Sequence, residues 1–245
     1  IELLGRSYHH NYEFDKAIDK FEFYSNFLAE NNWDDKRANN RRIRQAKYAK
    51  SLFENPVEVD IVPIKHINTD YAEYRPKLNA EENIMYFTSK RPGGSSDILD
   101  DQGEYYEDIY VSKKKMGVWT EPQLVNDLIN TTESSSCLYL SPDGEHMFLS
   151  MVNNDQKLGH LGRGIYEARL DGNHWNNPEF LDQKVNSKYW ETYASLDIYG
   201  NVLFFVSDRE GGYGGRDIWM IKKLPSGEWA EPQNLGEPIN TEYDE

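Results

Sequence analysis

Ile84-Met85-Tyr86-Phe87-Thr88-Ser89, Met147-Phe148-Leu149-Ser150 and Leu203-Phe204-Phe205-Val206-Ser207 are three versions of one phrase, and each introduces the same landmarks. After the first come Asp108-Ile109-Tyr110, Trp119, Pro122 and Asn130-Thr131. After the second come Gly164-Ile165-Tyr166, Trp175, Pro178 and Asn186-Ser187; after the third come Asp217-Ile218-Trp219, Trp229, Pro232 and Asn240-Thr241. Tyr110, Trp119 and Pro122 recur 56 residues later, and their second versions recur after a further 53 or 54. A unit repeated at such a period cannot bury its own apolar face alone, so the copies must stack. Repetition also favours a partner-holding surface over a single reactive pocket.

Each copy reads as four antiparallel strands. A lead-in (Tyr71-Ala72-Glu73-Tyr74, Thr132-Glu133-Ser134-Ser135, Tyr189-Trp190-Glu191-Thr192) precedes a first strand near 75–78, 137–140 and 194–196. A turn follows, most plainly Ser141-Pro142-Asp143-Gly144, where proline presets one dihedral and glycine accepts a positive φ. The apolar phrase is the second strand and Asp-Ile-Tyr/Trp the third. The Trp-x-x-Pro segment is the fourth, on an outer edge where a missing N–H does no harm. Four such strands make the blade of a β-propeller. The expected fold is α plus all-β: a helical segment over residues 1–55, a strand or connector over 56–67, and a partial propeller over 68–245. The last six residues, Asn240 to Glu245, read as the lead-in to a fourth blade. Three blades fall short of the roughly four to eight that close a ring, so the expectation is a portion of a longer protein.

The helical segment rests on periodicity. Phe14, Ala17, Ile18, Phe21, Tyr24, Ser25 and Leu28 recur at steps of three and four, and Ile43, Ala46, Ala49 and Phe53 mark a further helix stopping before Pro56. Leu3, Leu4, Tyr8 and Tyr12 belong to a short helix before them. The net charge of −15 opposes nucleic-acid binding, and no apolar run reaches the length of a membrane-spanning helix. Against that acidic background, Lys36 to Lys50 holds seven basic residues and no acid. Within it Arg37, Arg41, Arg44 and Lys47 form a solvated face or a docking strip for an acidic partner, such as the chain's own acidic surface.

Leu4-Gly5, Tyr8, Phe14-Asp15-Lys16-Ala17-Ile18 and Phe21 resemble a tetratricopeptide repeat. Ser-Pro-Asp-Gly, the Phe-x-Ser-(Asp/Lys)-Arg strand ends and Asp-Ile-Tyr resemble TolB-type, WD-repeat-like propellers over residues 68–245. With Tyr189-Trp190-Glu191-Thr192 and the string Ser207 to Trp219, the layout resembles Bacteroidetes envelope proteins that join such repeats and a propeller to a C-terminal OmpA-like domain, including the PorE-like family of type IX secretion and gliding. The resemblance implies an outer-membrane-associated periplasmic scaffold, a lipoprotein in its full-length form. It implies other envelope proteins as partners, and peptidoglycan only through a domain outside this chain. The alternative is a propeller module that binds a glycan or a peptide.

No enzyme activity and no cofactor are expected. Gly-x-Ser-x-Gly is absent, and Gly211-Gly212-Tyr213-Gly214-Gly215 lacks the Lys-Ser/Thr of a phosphate loop; a paired-carboxylate glycosidase is left open by sequence. The six histidines lack ligand spacing, with His160 and His174 read as loop residues. Asp97, Asp100, Asp101 and Glu104 form a weak cation candidate in a long acidic loop. Cys137 reads as a small core residue. Asp108, Asp217, Arg91, Arg209, Trp119, Trp175 and Trp229 are expected to hold the blades together, with Arg91 and Arg209 pairing with carboxylates across blades.

Overall fold

The computed structural model describes residues 1–30, 32–153 and 162–245; His160 lies outside them. The chain divides into two compact units, Ile1–Val62 and Pro63–Glu245.

The first unit is three helices: α1 (Glu2–His10), α2 (Phe14–Ser25) and α3 (Trp33–Glu54). Ala17, Phe21 and Ala46 form its buried centre, with Tyr8, Ile18 and Ile43 around them. Gly5 is required there, because a Cβ on it would come within 2.6 Å of the Phe21 ring. Buried Asn39 ties α3 to α2 by donating to the Phe21 carbonyl and the Ser25 hydroxyl, each at 2.8 Å. α3 starts about ten residues before its apolar spacing declares it. Asn32 caps it by accepting from the Asp35 N–H. The alternating Val57, Val59 and Ile61 form no strand; they are exposed extended chain. Alternation alone makes no ladder without a partner edge.

The second unit is three antiparallel sheets. Sheet 1 holds β1 (Glu73–Leu78), β2 (Ile84–Ser89), β3 (Asp108–Lys115), β4 (Val118–Trp119) and β5 (Gln123–Leu124). Sheet 2 holds β6 (Ser135–Leu140), β7 (His146–Asn153), β8 (Gly162–Asp171), β9 (His174–Trp175) and β10 (Glu179–Phe180). Sheet 3 holds β11 (Glu191–Leu196), β12 (Val202–Ser207), β13 (Asp217–Lys222) and β14 (Gln233–Asn234). Sheets 1 and 2 have five strands rather than the expected four, because the outer edge is broken at its proline. Trp119 and Trp175 extend a hairpin with the end of the third strand, and two residues past Pro122 and Pro178 pair again farther along it. Proline offers no N–H to bridge the gap. His174 lies in β9 rather than in a loop.

Innermost strands from different copies meet: β1 lies against β6, and β6 against β11. The apolar cores fill the spaces between sheets. Tyr86 and Ile109 of sheet 1 meet Met147, Leu149 and Met151 of sheet 2. Phe148 of the same strand turns the other way, onto Leu203, Phe205 and Trp219 of sheet 3. A strand buried on both faces must be apolar throughout, which explains the unbroken Met147-Phe148-Leu149. Sheets stacked face to face, with inner strands side by side, make this a β-propeller-like fold.

Candidate functional site

Repetition gives an internal alignment, and the site emerges where the copies depart from it. The shared parts come first. Asn130 accepts from the Ile109 N–H at 2.7 Å and donates to the Ile109 and Val125 carbonyls. Asn186 repeats this on Ile165 and Leu181, and Asn240 repeats it on Ile218. Asp108 accepts from the Ser95 N–H at 2.9 Å and its hydroxyl at 2.6 Å, and Asp217 accepts from the Tyr213 N–H at 2.6 Å. Both aspartates are buried against a glycine. A Cβ on Gly94 or Gly212 would stand 1.9 or 1.8 Å from the carboxylate, so the Gly211–Gly215 segment leaves room for Asp217 rather than for a phosphate.

Arg91 and Arg209 form matching clasps. Arg91 donates to Ser89 and the Ile67 carbonyl, pairs with Glu73 at 3.3 Å, and lies over Phe87 and Tyr110. Arg209 donates to Ser207 and the Lys184 and Val185 carbonyls, pairs with Glu191 at 3.1 Å, and lies over Phe205 and Trp219. Both carboxylates belong to the arginine's own sheet, which corrects the cross-blade pairing expected from sequence. What Arg209 takes from its neighbour is carbonyl oxygens. Two of the three tryptophans make inter-sheet contacts. Trp175 stands edge-on to Tyr86 and its indole N–H faces the Tyr86 hydroxyl at 3.3 Å. Trp229 packs on the cluster between sheets 2 and 3 and accepts Lys184 on its carbonyl. Trp119 packs on the outer cluster of sheet 1.

Sheet 2 lacks the clasp. Ser136 stands where the other inner strands carry Glu73 and Glu191, and Val152 stands where Arg91 and Arg209 follow the second strand. Gly164 replaces the aspartate, and a Cβ there would meet the Phe180 ring at 2.6 Å. An arginine is nevertheless present, on the opposite strand: Arg163 pairs in register with Val152. Its guanidinium turns inward to Glu107 of sheet 1 and to Ser150. Glu107 also accepts the Tyr74 hydroxyl, and burial followed by that carboxylate pushes the Tyr74 phenol well above its usual range.

These groups line a cavity of about 200 Å³ bounded by Arg75, Glu107, Leu138, Ser150, Arg163, Trp190 and Thr192. Arg75, Leu138 and Thr192 come from the three inner strands, so the cavity is the funnel on which the copies converge. Each inner strand bulges at the same point, at Arg75, Leu138 and beside Thr192 at Tyr193. Arg75 (φ +53°) and Tyr193 (φ +50°) hold left-handed backbone there, a conformation that costs a non-glycine residue free energy and re-aims its side chain. The result spans three sheets: Arg75 donates to Ser136 of sheet 2 at 2.8 Å and lies 4.8 Å from the Tyr193 ring centre of sheet 3. Among the described residues no carboxylate pairs with Arg75, and the buried Thr192 hydroxyl has no hydrogen-bond partner.

The residues singled out from sequence lie elsewhere. The acidic loop does not converge on a cation: Asp100 accepts the Gln102 and Glu104 N–H groups, and Lys90 bridges Asp100 and Glu104. Asp97 and Asp101 are exposed, and no group of three metal-ligating side chains occurs among the described residues. The basic strip of α3 is drawn largely onto its own unit. Arg42 meets Glu2, Lys47 meets Glu22, Lys50 meets Asp15, and Arg37 meets Asp34. Arg41 and Arg44 are exposed. Cys137 is buried and its thiol is pushed up to about 12 by that burial. Sequence reasoning missed Arg75 and Arg163, and read Glu107 only as one acid of the long loop. The signal available was their failure to match the other copies.

No protein-family model and no curated protein matches the chain. Similar solved structures include a post-proline cleaving enzyme from Rickettsia typhi, at 11% identity and TM-score 0.38 over 66% of this chain and 21% of that one. They include a protein described as TolB from Agrobacterium tumefaciens, at 12% identity and TM-score 0.38 over 69% and 63%. They also include an α-L-arabinofuranosidase from Fusarium graminearum, at 12% identity and TM-score 0.36 over 72% and 52%. The chain spans about a fifth, three-fifths and half of these three. At such identities the likeness is one of fold alone. The expectation that the chain lies outside the enzymes is corrected by these matches. Two of the three are enzymes. No helix among the described residues is long and apolar enough to cross a membrane.

Proposed function

We propose that this chain is the docking part of a larger bacterial envelope protein. The propeller-like unit receives a segment of a partner in its funnel, and the helical unit offers a second surface. The observation that supports this reading is the composition of the funnel. Three copies that repair each other's apolar faces everywhere else bring unlike polar groups together here, and Arg75 and Thr192 hold donors that the fold itself leaves unused. Buried or half-buried donors without partners carry a desolvation cost that a ligand removes.

The setting comes from sequence. The Leu4-to-Phe21 pattern resembles a tetratricopeptide repeat, and the close approach of Gly5 to Phe21 fits that reading. With the string Ser207 to Trp219, it supports a periplasmic, outer-membrane-associated scaffold that joins an assembly such as the type IX secretion or gliding machinery to the cell wall. Photo-crosslinking tests the docking reading. A crosslinking amino acid at position 190, in the funnel, is expected to capture one protein partner in cells that naturally make this chain, whereas the same group at position 226, in an exposed hairpin, captures none. Equal labelling at the two positions would overturn it.

A further inference from the structure

Resting on that docking reading, we infer that the group received by the funnel is a carboxylate of an acidic peptide segment, held by Arg75. The chain carries fifteen more acidic than basic residues, yet the cavity lining holds two guanidiniums, Arg75 and Arg163, against one carboxylate, Glu107. A local positive potential in an acidic surface selects an anion and steers it inward. The two arginines play different parts. Arg163 is already satisfied by Glu107 and Ser150, and it holds that single acid away from the centre. Arg75 has the Ser136 hydroxyl and the rings of Tyr74 and Tyr193 as its described partners, which leaves guanidinium N–H groups for a planar, two-oxygen acceptor. The unpartnered Thr192 hydroxyl lines the same cavity.

The internal alignment makes the placement specific. At the bulge, the other copies have Leu138 and Tyr193 where the first has Arg75. At the residue before Asp108, Gly164 and Asp217, the copies carry Glu107, Arg163 and Arg216. Arg75 and Glu107 do not follow from the needs of a blade, since the other copies build blades with Leu138 and Tyr193, and with Arg163 and Arg216, in their places. A carbohydrate is the poorer occupant. Sugars seek an open aromatic face, and here Arg75 lies over Tyr193 while Arg216 lies over Trp190 at 5.7 Å. About 200 Å³ admits one acidic side chain with its flanking backbone rather than a chain of rings.

The test is titration of the full chain, followed by Trp fluorescence and calorimetry, with an N-acetylated, C-amidated tetra-aspartate peptide, its tetra-asparagine counterpart and galacturonic acid. The expected result is saturable binding of the aspartate peptide alone, weakened by added salt. Arg75→Gln is expected to weaken it at least tenfold, Thr192→Val a few-fold, and Arg169→Gln, an exposed residue of β8 outside the cavity lining, not at all. Thermal melts of each variant separate lost binding from lost fold. Equal binding of the asparagine peptide, or an Arg75→Gln protein that is folded and binds as the parent does, would overturn the inference. Tighter binding of galacturonic acid would overturn its peptide source. A partner still crosslinked at position 190 in the Arg75→Gln protein would leave the docking reading standing while the carboxylate assignment falls.

Discussion

Removing the Asn186 side chain by Asn186→Ala is a direct measure of what makes each copy one body. Asn186 is buried and makes three hydrogen bonds, with the Ile165 N–H (2.8 Å), the Ile165 carbonyl (2.8 Å) and the Leu181 carbonyl (2.9 Å). After truncation the Ile165 carbonyl keeps the Leu181 N–H. The Ile165 N–H and the Leu181 carbonyl lose this partner inside the protein. A buried group left unsatisfied costs about 1–3 kcal/mol, and the small cavity adds to that. The expected loss is about 3–5 kcal/mol, a large share of the about 5–15 kcal/mol that holds a typical domain. With a urea slope near 2 kcal/mol/M, the midpoint falls by about 2 M. Asn130→Ala should cost as much, since its three bonds are of the same kind. Asn240→Ala should cost less, because its third bond goes to the Asn234 side-chain oxygen, which keeps the Gly236 N–H at 2.8 Å. Urea unfolding followed by circular dichroism measures all three. A loss below about 1 kcal/mol for Asn186→Ala, or a larger loss for Asn240→Ala, would refute the accounting.

Four further outcomes follow from the same geometry. Glu191→Ala leaves Arg209 buried without its carboxylate and should cost about 3–5 kcal/mol in urea unfolding. Trp175→Ala removes the wedge against Tyr86 and should cost about 3–5 kcal/mol by the same assay. Gly212→Ala drives a Cβ into the Asp217 carboxylate, and thermal melting should show a loss above about 2 kcal/mol, far more than Gly227→Asn, where nothing lies within 4 Å. Glu167 is held below its ordinary value first by its contact with His146 (3.0 Å). A lowered native pKa means that this contribution is present above about pH 4.5 and disappears as pH falls through the native value. The parent should therefore lose about 0.5 kcal/mol more than Glu167→Gln between pH 6 and pH 3, read from urea midpoints.

The sequence by itself determined the repeat, the strands and the stacking, because these depend on local patterns that recur. A run such as Met147-Phe148-Leu149 is apolar at every position only if both faces are covered, and Trp175 and Trp229 announce equivalent contacts by equal spacing. It also marked Arg91 and Arg209 as equivalent, although only the coordinates show that their carboxylates lie in the same sheet. The start of α3 was illegible because a polar, exposed helix carries no apolar stripe there, and the sequence of 56–67 left strand and connector open because a strand exists only by pairing with another. The funnel belonged wholly to the tertiary structure. Arg75, Glu107, Arg163 and Thr192 lie on three sheets and are separated by up to 117 residues, so no window along the chain contains them. What joins them is convergence of the inner strands and a bulge that turns Arg75 across the axis, and both arise from packing between copies rather than from the residues of any one copy.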